Sequence, residues 1–253
     1  MIEKNTYLNR NLEEAAVNGN IKAIELLLAD EKFYPEDNYA VIMAAYNGYT
    51  DIVKLLLEDK RIDPAIDDNF AIRVASYRGY KKIVKLLLED KRVDPSVSNN
   101  CAIEIAACNG YTEVVKLLLE DSRVDPSTND NCAIRIASSK GHTGVIKHLL
   151  KDTRVDPSAE DNAAIKWASE NGYAEVIKLL LSDPRVDPSV DDNYAIKMAT
   201  KYGEIELIKL LLEDPRVDPS AGNNYPILMA IKCGDADIIK LLSEDDRVDF
   251  NKV

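Results

Sequence analysis

The sequence predicts an all-α solenoid of about eight helix-turn-helix repeats joined by short finger loops. Three observations carry that prediction. A 31-residue frame opened by Asn38 returns at Asn69, Asn100, Asn131, Asn162, Asn193 and Asn224. Each copy holds two apolar stripes at helical spacing, one on either side of a glycine. No copy is long enough to bury its own apolar face, so the copies must stack to make a core.

The cleanest copy, 69–99, reads NFAIRVASYRGYKKIVKLLLEDKRVDPSVSN. Asn69 precedes the first apolar residues, where its side chain is expected to accept a backbone N–H as a helix N-cap does. Ala71, Ile72, Val74 and Ala75 form the first stripe, and small alanines let a neighbouring helix come close. Gly79 ends that helix, because glycine takes the left-handed conformation past a helix end without strain. Ile83, Val84, Leu86, Leu87 and Leu88 form the second stripe, with Lys85 pointing outward. Pro95 cannot continue a helix, and Asn99-Asn100 suits a turn.

The ends depart from this frame. The first unit, 9–37, has a loop from Glu31 to Asp37, with Pro35, that is two residues shorter, and it is read as an N-terminal cap. Six full copies follow: 38–68, 69–99, 100–130, 131–161, 162–192 and 193–223. In the last unit, 224–253, the series Leu57, Leu88, Leu119, Leu150, Leu181, Leu212 becomes Ser243. A polar residue there suits a C-terminal cap. The whole of 1–253 is read as one repeat domain.

Composition narrows the function. The hydrophobic share of 46% is enough for a continuous core, and the net charge of −12 argues against nucleic acid or an anionic membrane as partner. The first twenty residues lack an apolar signal segment, and no apolar run reaches the length of a membrane span. Cys101 and Cys132 occupy one repeat position, too far apart for a disulfide if neighbouring helices pack at roughly 8–10 Å. These features fit a reducing, cytoplasmic setting.

Catalytic chemistry finds no foothold. Eight of the ten glycines are the interhelical glycine of a repeat, so no glycine-rich phosphate cradle forms. His142 and His148 stand at routine repeat positions without a nucleophile beside them. Trp167 falls where other copies carry Val74 or Ile105 and is read as core. The run Asp-x-Arg-Val-Asp recurs with Arg61, Arg92, Arg123, Arg154, Arg185, Arg216 and Arg247. A feature identical in every copy serves stacking, so each arginine is expected to hold the carboxylates on both sides of it, Asp121 and Asp125 for Arg123. The expectation is no enzyme, no metal and no cofactor.

Helix, glycine, helix and loop at this period resemble the ankyrin repeat over nearly the whole chain. The first-helix signature Thr-Pro-Leu-His-x-Ala matches Phe70-Ala71-Ile72-Arg73-Val74-Ala75, and Tyr225-Pro226-Ile227-Leu228-Met229-Ala230 restores its proline. Gly141-His142 keeps the family's Gly-His pair, and the Val-x-Leu-Leu-Leu second helix is almost unchanged. The unit is shorter than the usual 33 residues. The signature histidine gives way to Arg73, Glu104, Arg135, Lys166 and Lys197, so its hydrogen-bond network is expected to be lost. The Asp-x-Arg-Val-Asp-Pro-Ser loop is similar to ankyrin arrays common in giant viruses and their protist hosts.

The resemblance implies non-catalytic recognition of a partner protein through a concave face and the fingers. The residues before each repeat glycine vary between copies and would look onto that face. Tyr46-Asn47, Tyr77-Arg78, Asn109, Lys140, Glu170-Asn171 and Lys201-Tyr202 are therefore the candidate contacts, with Phe70 beside them. Tyrosine and arginine dominate interface energies, which favours the copies carrying Tyr46, Phe70, Tyr77 and Arg78. The expected protein is a monomer that binds one partner protein. A self-associating structural array is the alternative, and a small-molecule or metal-binding module is a weaker one.

Overall fold

The computed structural model describes residues 11–33 and 38–248. The first ten residues, Pro35, Asp37, Asp249 and Phe250 lie outside these, and so does most of the shortened first loop.

The described residues are all helix and connection. A helix α1 runs through 11–17. After it come α2 (Ile21–Leu28), α3 (Tyr39–Asn47), α4 (Thr50–Glu58), α5 (Ile66–Arg78), α6 (Lys81–Glu89), α7 (Val97–Cys108) and α8 (Thr112–Glu120). Next come α9 (Thr128–Ser139), α10 (Thr143–Leu149), α11 (Ala159–Glu170), α12 (Ala174–Leu181), α13 (Val190–Tyr202), α14 (Ile205–Leu212), α15 (Ala221–Cys233) and α16 (Ala236–Ser243). The chain forms two compact units, Met1–Thr128 and Asn129–Val253. In the first, α3, α5 and α7 pack in one layer and α2, α4, α6 and α8 in another. In the second, α11, α13 and α15 form one layer and α10, α12, α14 and α16 the other.

The first stripe and the Ile83, Val84 and Leu87 part of the second are buried, while Leu86 and Leu88 are half-buried. In the copy 69–99, Ala71, Ile72, Ala75, Ile83, Val84 and Leu87 are each 0% exposed, while Lys85 is solvated. Burying one such Ile or Leu is worth about 1.5–3 kcal/mol. Ser243 is exposed where its leucine counterparts are half-buried, and its Oγ–H donates to the Ile239 carbonyl at 2.6 Å.

Gly79 has φ +73°, and a side chain there would also strike the Tyr111 ring at 2.7 Å. The glycine of one copy is thus the floor on which the tyrosine ring of the next lies. That contact gives a reason for the tyrosine that follows four of the eight repeat glycines.

The loops depart from the expected N-cap. Asp67, Asp68 and Asn69 all lie in the left-handed region, and so do 98–100, 129–131, 160–162, 191–193 and 222–224. Left-handed backbone costs an ordinary residue about 1–2 kcal/mol, and less for Asn or Asp. Two bonds hold the turn. The Asn69 N–H donates to the Ala65 carbonyl at 2.9 Å, closing a five-residue turn. Its Oδ1 accepts the Asp94 N–H at 2.8 Å. The asparagine therefore accepts a backbone N–H from the loop at the far end of its own copy and none from its own helix. Asn38, Asn100, Asn131, Asn162 and Asn193 do the same for Asp63, Asp125, Asp156, Asp187 and Asp218.

The arginine ladder also differs from the expectation. Arg123 grips Asp121 through Nε at 2.9 Å and Nη2 at 2.6 Å. Its remaining donors reach backwards, Nη1 to the Val93 carbonyl at 2.6 Å and Nη2 to the Leu88 carbonyl at 3.2 Å. Asp125 turns the other way, its Oδ1 accepting the Ser127 N–H at 2.9 Å and Oγ–H at 2.7 Å. The guanidinium has five donors in a fixed fork, so one carboxylate and two carbonyls already satisfy it. Arg92, Arg216 and Arg247 repeat this pattern onto the carbonyls of the preceding copy.

Candidate functional site

The row at the C-terminal ends of the first-layer helices is built alike in each copy. Ala44 and Ala45, or Ala75 and Ser76, face the core, so the next two residues emerge on the surface before the glycine turns the chain. In the first unit this places Tyr46-Asn47 at the end of α3, Tyr77-Arg78 at the end of α5, and Asn109 just past α7.

Tyr77 is 53% exposed and Tyr46 43%. The Arg78 guanidinium lies over the Tyr46 ring, 4.1 Å from its centroid. Arg78 makes no ion pair and no side-chain hydrogen bond among the described residues, and its Nε is buried without an acceptor. Phe70, 39% exposed, starts the right-handed part of α5 under the Arg73 guanidinium, 4.9 Å from the ring centroid. The two asparagines are partly committed. Asn47 Nδ2 donates to the Met43 carbonyl at 2.9 Å, and Asn109 Nδ2 to the Ile105 carbonyl at 2.8 Å. Each closes the end of its own helix.

In the second unit the row is more polar. Lys140 is exposed. Asn171 Nδ2 donates to the Trp167 carbonyl at 2.8 Å, as its counterparts do. Glu170 accepts the Tyr194 hydroxyl at 2.5 Å, and that bond pushes the Tyr194 phenol up to about 12. Tyr202 is 53% exposed, with Lys201 Nζ 5.1 Å from its ring centroid.

Trp167 corrects the core assignment. It is half-buried, and the Arg135 guanidinium stands 5.6 Å from its ring centroid. Its position lies at the rim of the helix layer, where Met43, Ile105 and Ile136 are also half-buried. Sequence reasoning also missed Arg73 and Arg135 as ring partners. The available signal was cation and aromatic at neighbouring positions of adjacent turns or copies.

None of the four cysteines is in a disulfide, and burial pushes the Cys101 thiol up, away from the nucleophilic thiolate. Among the described residues no helix is long and apolar enough to cross a membrane.

The family model for ankyrin repeats (3 copies) matches residues 12–99, 103–192 and 165–253. The chain belongs to the ankyrin repeat family. Among solved structures, the crystal structure of EF0377, an ankyrin repeat protein, is similar, with 26% identity and a TM-score of 0.60 over 70% of this chain and 98% of that one. No curated protein matches the chain. Ankyrin repeats are in general protein–protein interaction modules, on a fold that is not enzymatic.

One ankyrin feature is replaced here by other chemistry. At the signature histidine's position, Arg73 Nη2 donates to the Asp67 carbonyl at 3.0 Å, and Arg135 donates to the Asp130 and Asn129 carbonyls. Lys166 pairs with Asp191 at 2.8 Å and Lys197 with Asp192 at 3.1 Å. The histidine network is gone, yet in these four copies the position still braces the turn. A long cation reaches the carbonyls of the left-handed turn or a carboxylate on it.

Proposed function

We propose that this ankyrin array is a non-catalytic scaffold that binds a partner protein through the first-unit row Tyr46, Tyr77 and Arg78, with Phe70 and the neighbouring turns at its edge. The family resemblance makes this the concave, finger-side face. The carrying observation is the exposed Tyr77 beside the Arg78–Tyr46 stack. Two large rings are held at the surface, and a cation without a carboxylate partner lies on one of them. Such surface loses little entropy on binding and gains much from desolvation. The second-unit row, with Tyr202 as its exposed ring, forms a smaller contact.

The test starts from a partner captured on the whole chain and then produced pure. Binding is compared by calorimetry for Tyr77→Ala and Ser139→Ala at equal folded fraction. Tyr77→Ala is expected to weaken binding by about 2 kcal/mol or more, as a hot-spot residue does, and Ser139→Ala hardly at all. Equal small losses would move the binding surface elsewhere. Light scattering over a dilution series separates the self-assembly reading, which requires a mass that rises with concentration. The scaffold reading expects a constant monomer mass.

A further inference from the structure

We infer that the partner meets this row with a carboxylate-bearing segment, an acidic stretch of protein carrying Asp or Glu next to an apolar or aromatic residue. The inference rests on the reading that the first-unit row binds a partner and adds the chemistry of what it binds.

The argument starts from charge. The chain carries 44 Asp and Glu against 32 Lys and Arg. With carboxylates in such excess, an arginine without one stands out. Arg61, Arg92 and Arg123 each hold an aspartate at 2.6 Å. Arg73 and Arg78, both on α5, hold none among the described residues, and the Nε of each is buried without an acceptor. Arg73 is partly occupied by the Asp67 carbonyl. Among the described residues Arg78 makes no side-chain hydrogen bond, and its guanidinium rests on Tyr46.

Geometry then points to the ligand. One face of the Arg78 guanidinium is covered by the Tyr46 ring, which limits its rotamers. A pre-oriented planar fork binds carboxylate through two parallel N–H donors. The adjacent residues Tyr46 and Tyr77 are uncharged, so nothing on them competes for the guanidinium. They offer ring surface to an apolar neighbour of the carboxylate. The net charge of −12 repels an acidic segment at long range. Charges beyond about 8 Å are screened at physiological ionic strength, so the local contact decides.

The experiment is selection of phage-displayed random peptides on the whole chain. Binding of the enriched peptides is then measured by fluorescence anisotropy against wild type, Arg78→Gln, Arg78→Lys, Tyr46→Ala, Tyr77→Ala and Ser139→Ala. The enriched peptides are expected to carry Asp or Glu beside an apolar or aromatic residue. Arg78→Gln and a Glu-to-Gln copy of the peptide should each weaken binding about tenfold or more, as losing one partner of a paired charge does. Combined, they should lose little further, and Arg78→Lys should restore part of the affinity. Neutral or basic peptides that need Tyr77 but ignore Arg78 would overturn the acidic-segment inference and leave the binding row standing. Peptides indifferent to Tyr46, Tyr77 and Arg78, or no enrichment at all, would overturn both.

Discussion

The guanidinium of Arg78 lies over the ring of Tyr46, 4.1 Å from its centroid, joining the ends of α5 and α3 across two copies. Stacking a cation on an exposed ring is worth about 0.5–1 kcal/mol. In a double-mutant cycle of Tyr46→Ala and Arg78→Ala, urea unfolding should show a coupling of that size. Additive losses would mean that the stack contributes nothing to folding and leaves Arg78 free to move.

Arg123 ties its own loop to the preceding copy, through Asp121 on one side and the Val93 and Leu88 carbonyls on the other. With the side chain 38% exposed, the ion pair is partly screened. The two carbonyl bonds remain, so Arg123→Ala should cost roughly 1–2 kcal/mol in denaturant unfolding. Arg123→Lys should recover little, because an ammonium cannot span the carboxylate and both carbonyls. Full recovery in the lysine variant would reduce the ladder to simple charge pairing.

Acid should weaken the protein through the same ladder. Hydrogen bonds from the neighbouring arginine hold Asp59, Asp90, Asp121, Asp152, Asp183, Asp214 and Asp245 below the usual carboxylate range. In the unfolded chain these groups protonate near pH 4, roughly the free aspartate value. Between that value and the folded one, the unfolded state binds more protons, so stability rises with pH. The contribution is complete above about pH 4 and is lost as pH falls through the folded values. The urea midpoint should therefore hold from pH 7 to pH 5 and drop by pH 3. Asp121→Asn should lower the midpoint at pH 7 and make the drop shallower.

Two glycines with one backbone conformation should respond differently to alanine. Gly79 and Gly234 both have φ +73°, but a Cβ at Gly79 meets the Tyr111 ring at 2.7 Å, whereas one at Gly234 meets nothing within 4 Å. Both variants lose the left-handed preference, about 1–2 kcal/mol. Only Gly79→Ala also displaces a ring, adding roughly 1–3 kcal/mol as overpacking does. Thermal unfolding should rank Gly79→Ala well below Gly234→Ala. Equal losses would show that the tyrosine ring moves aside freely.

Asn100 combines a left-handed backbone with a long-range acceptor, its Oδ1 taking the N–H of Asp125 at the far end of the same copy at 2.8 Å. Asn100→Gly keeps the conformation and loses the acceptor. Asn100→Ala loses both. The glycine variant isolates the bond, expected at about 1–3 kcal/mol for a part-buried N–H left without a partner. The alanine variant should be worse by about the left-handed penalty, about 1–2 kcal/mol. If glycine matched wild type, the ladder of asparagines would be a conformational device only.

The sequence by itself determined the repeat, the helix pairs, the stripes that become core and the glycine that parts them. These follow from local rules: apolar spacing, left-handed glycine and proline that stops a helix. It also placed Tyr46, Tyr77 and Arg78 on one row, because a fixed period carries position from copy to copy. Tertiary structure decided what each polar residue that recurs from copy to copy touches. Asn69 looks like an N-cap in sequence but accepts from Asp94, twenty-five residues on. Arg123 has aspartates on both sides in sequence, yet takes one of them and two carbonyls of the previous copy. Trp167 follows a core pattern but lies at the rim under Arg135. In each case the partner lies in another copy or at the far end of the same one, across both helices. Spacing along one copy reports which residues share a face. Only the folding of helices and loops onto one another, within a copy and between copies, brings a donor within hydrogen-bond reach of an acceptor some 25–35 residues away.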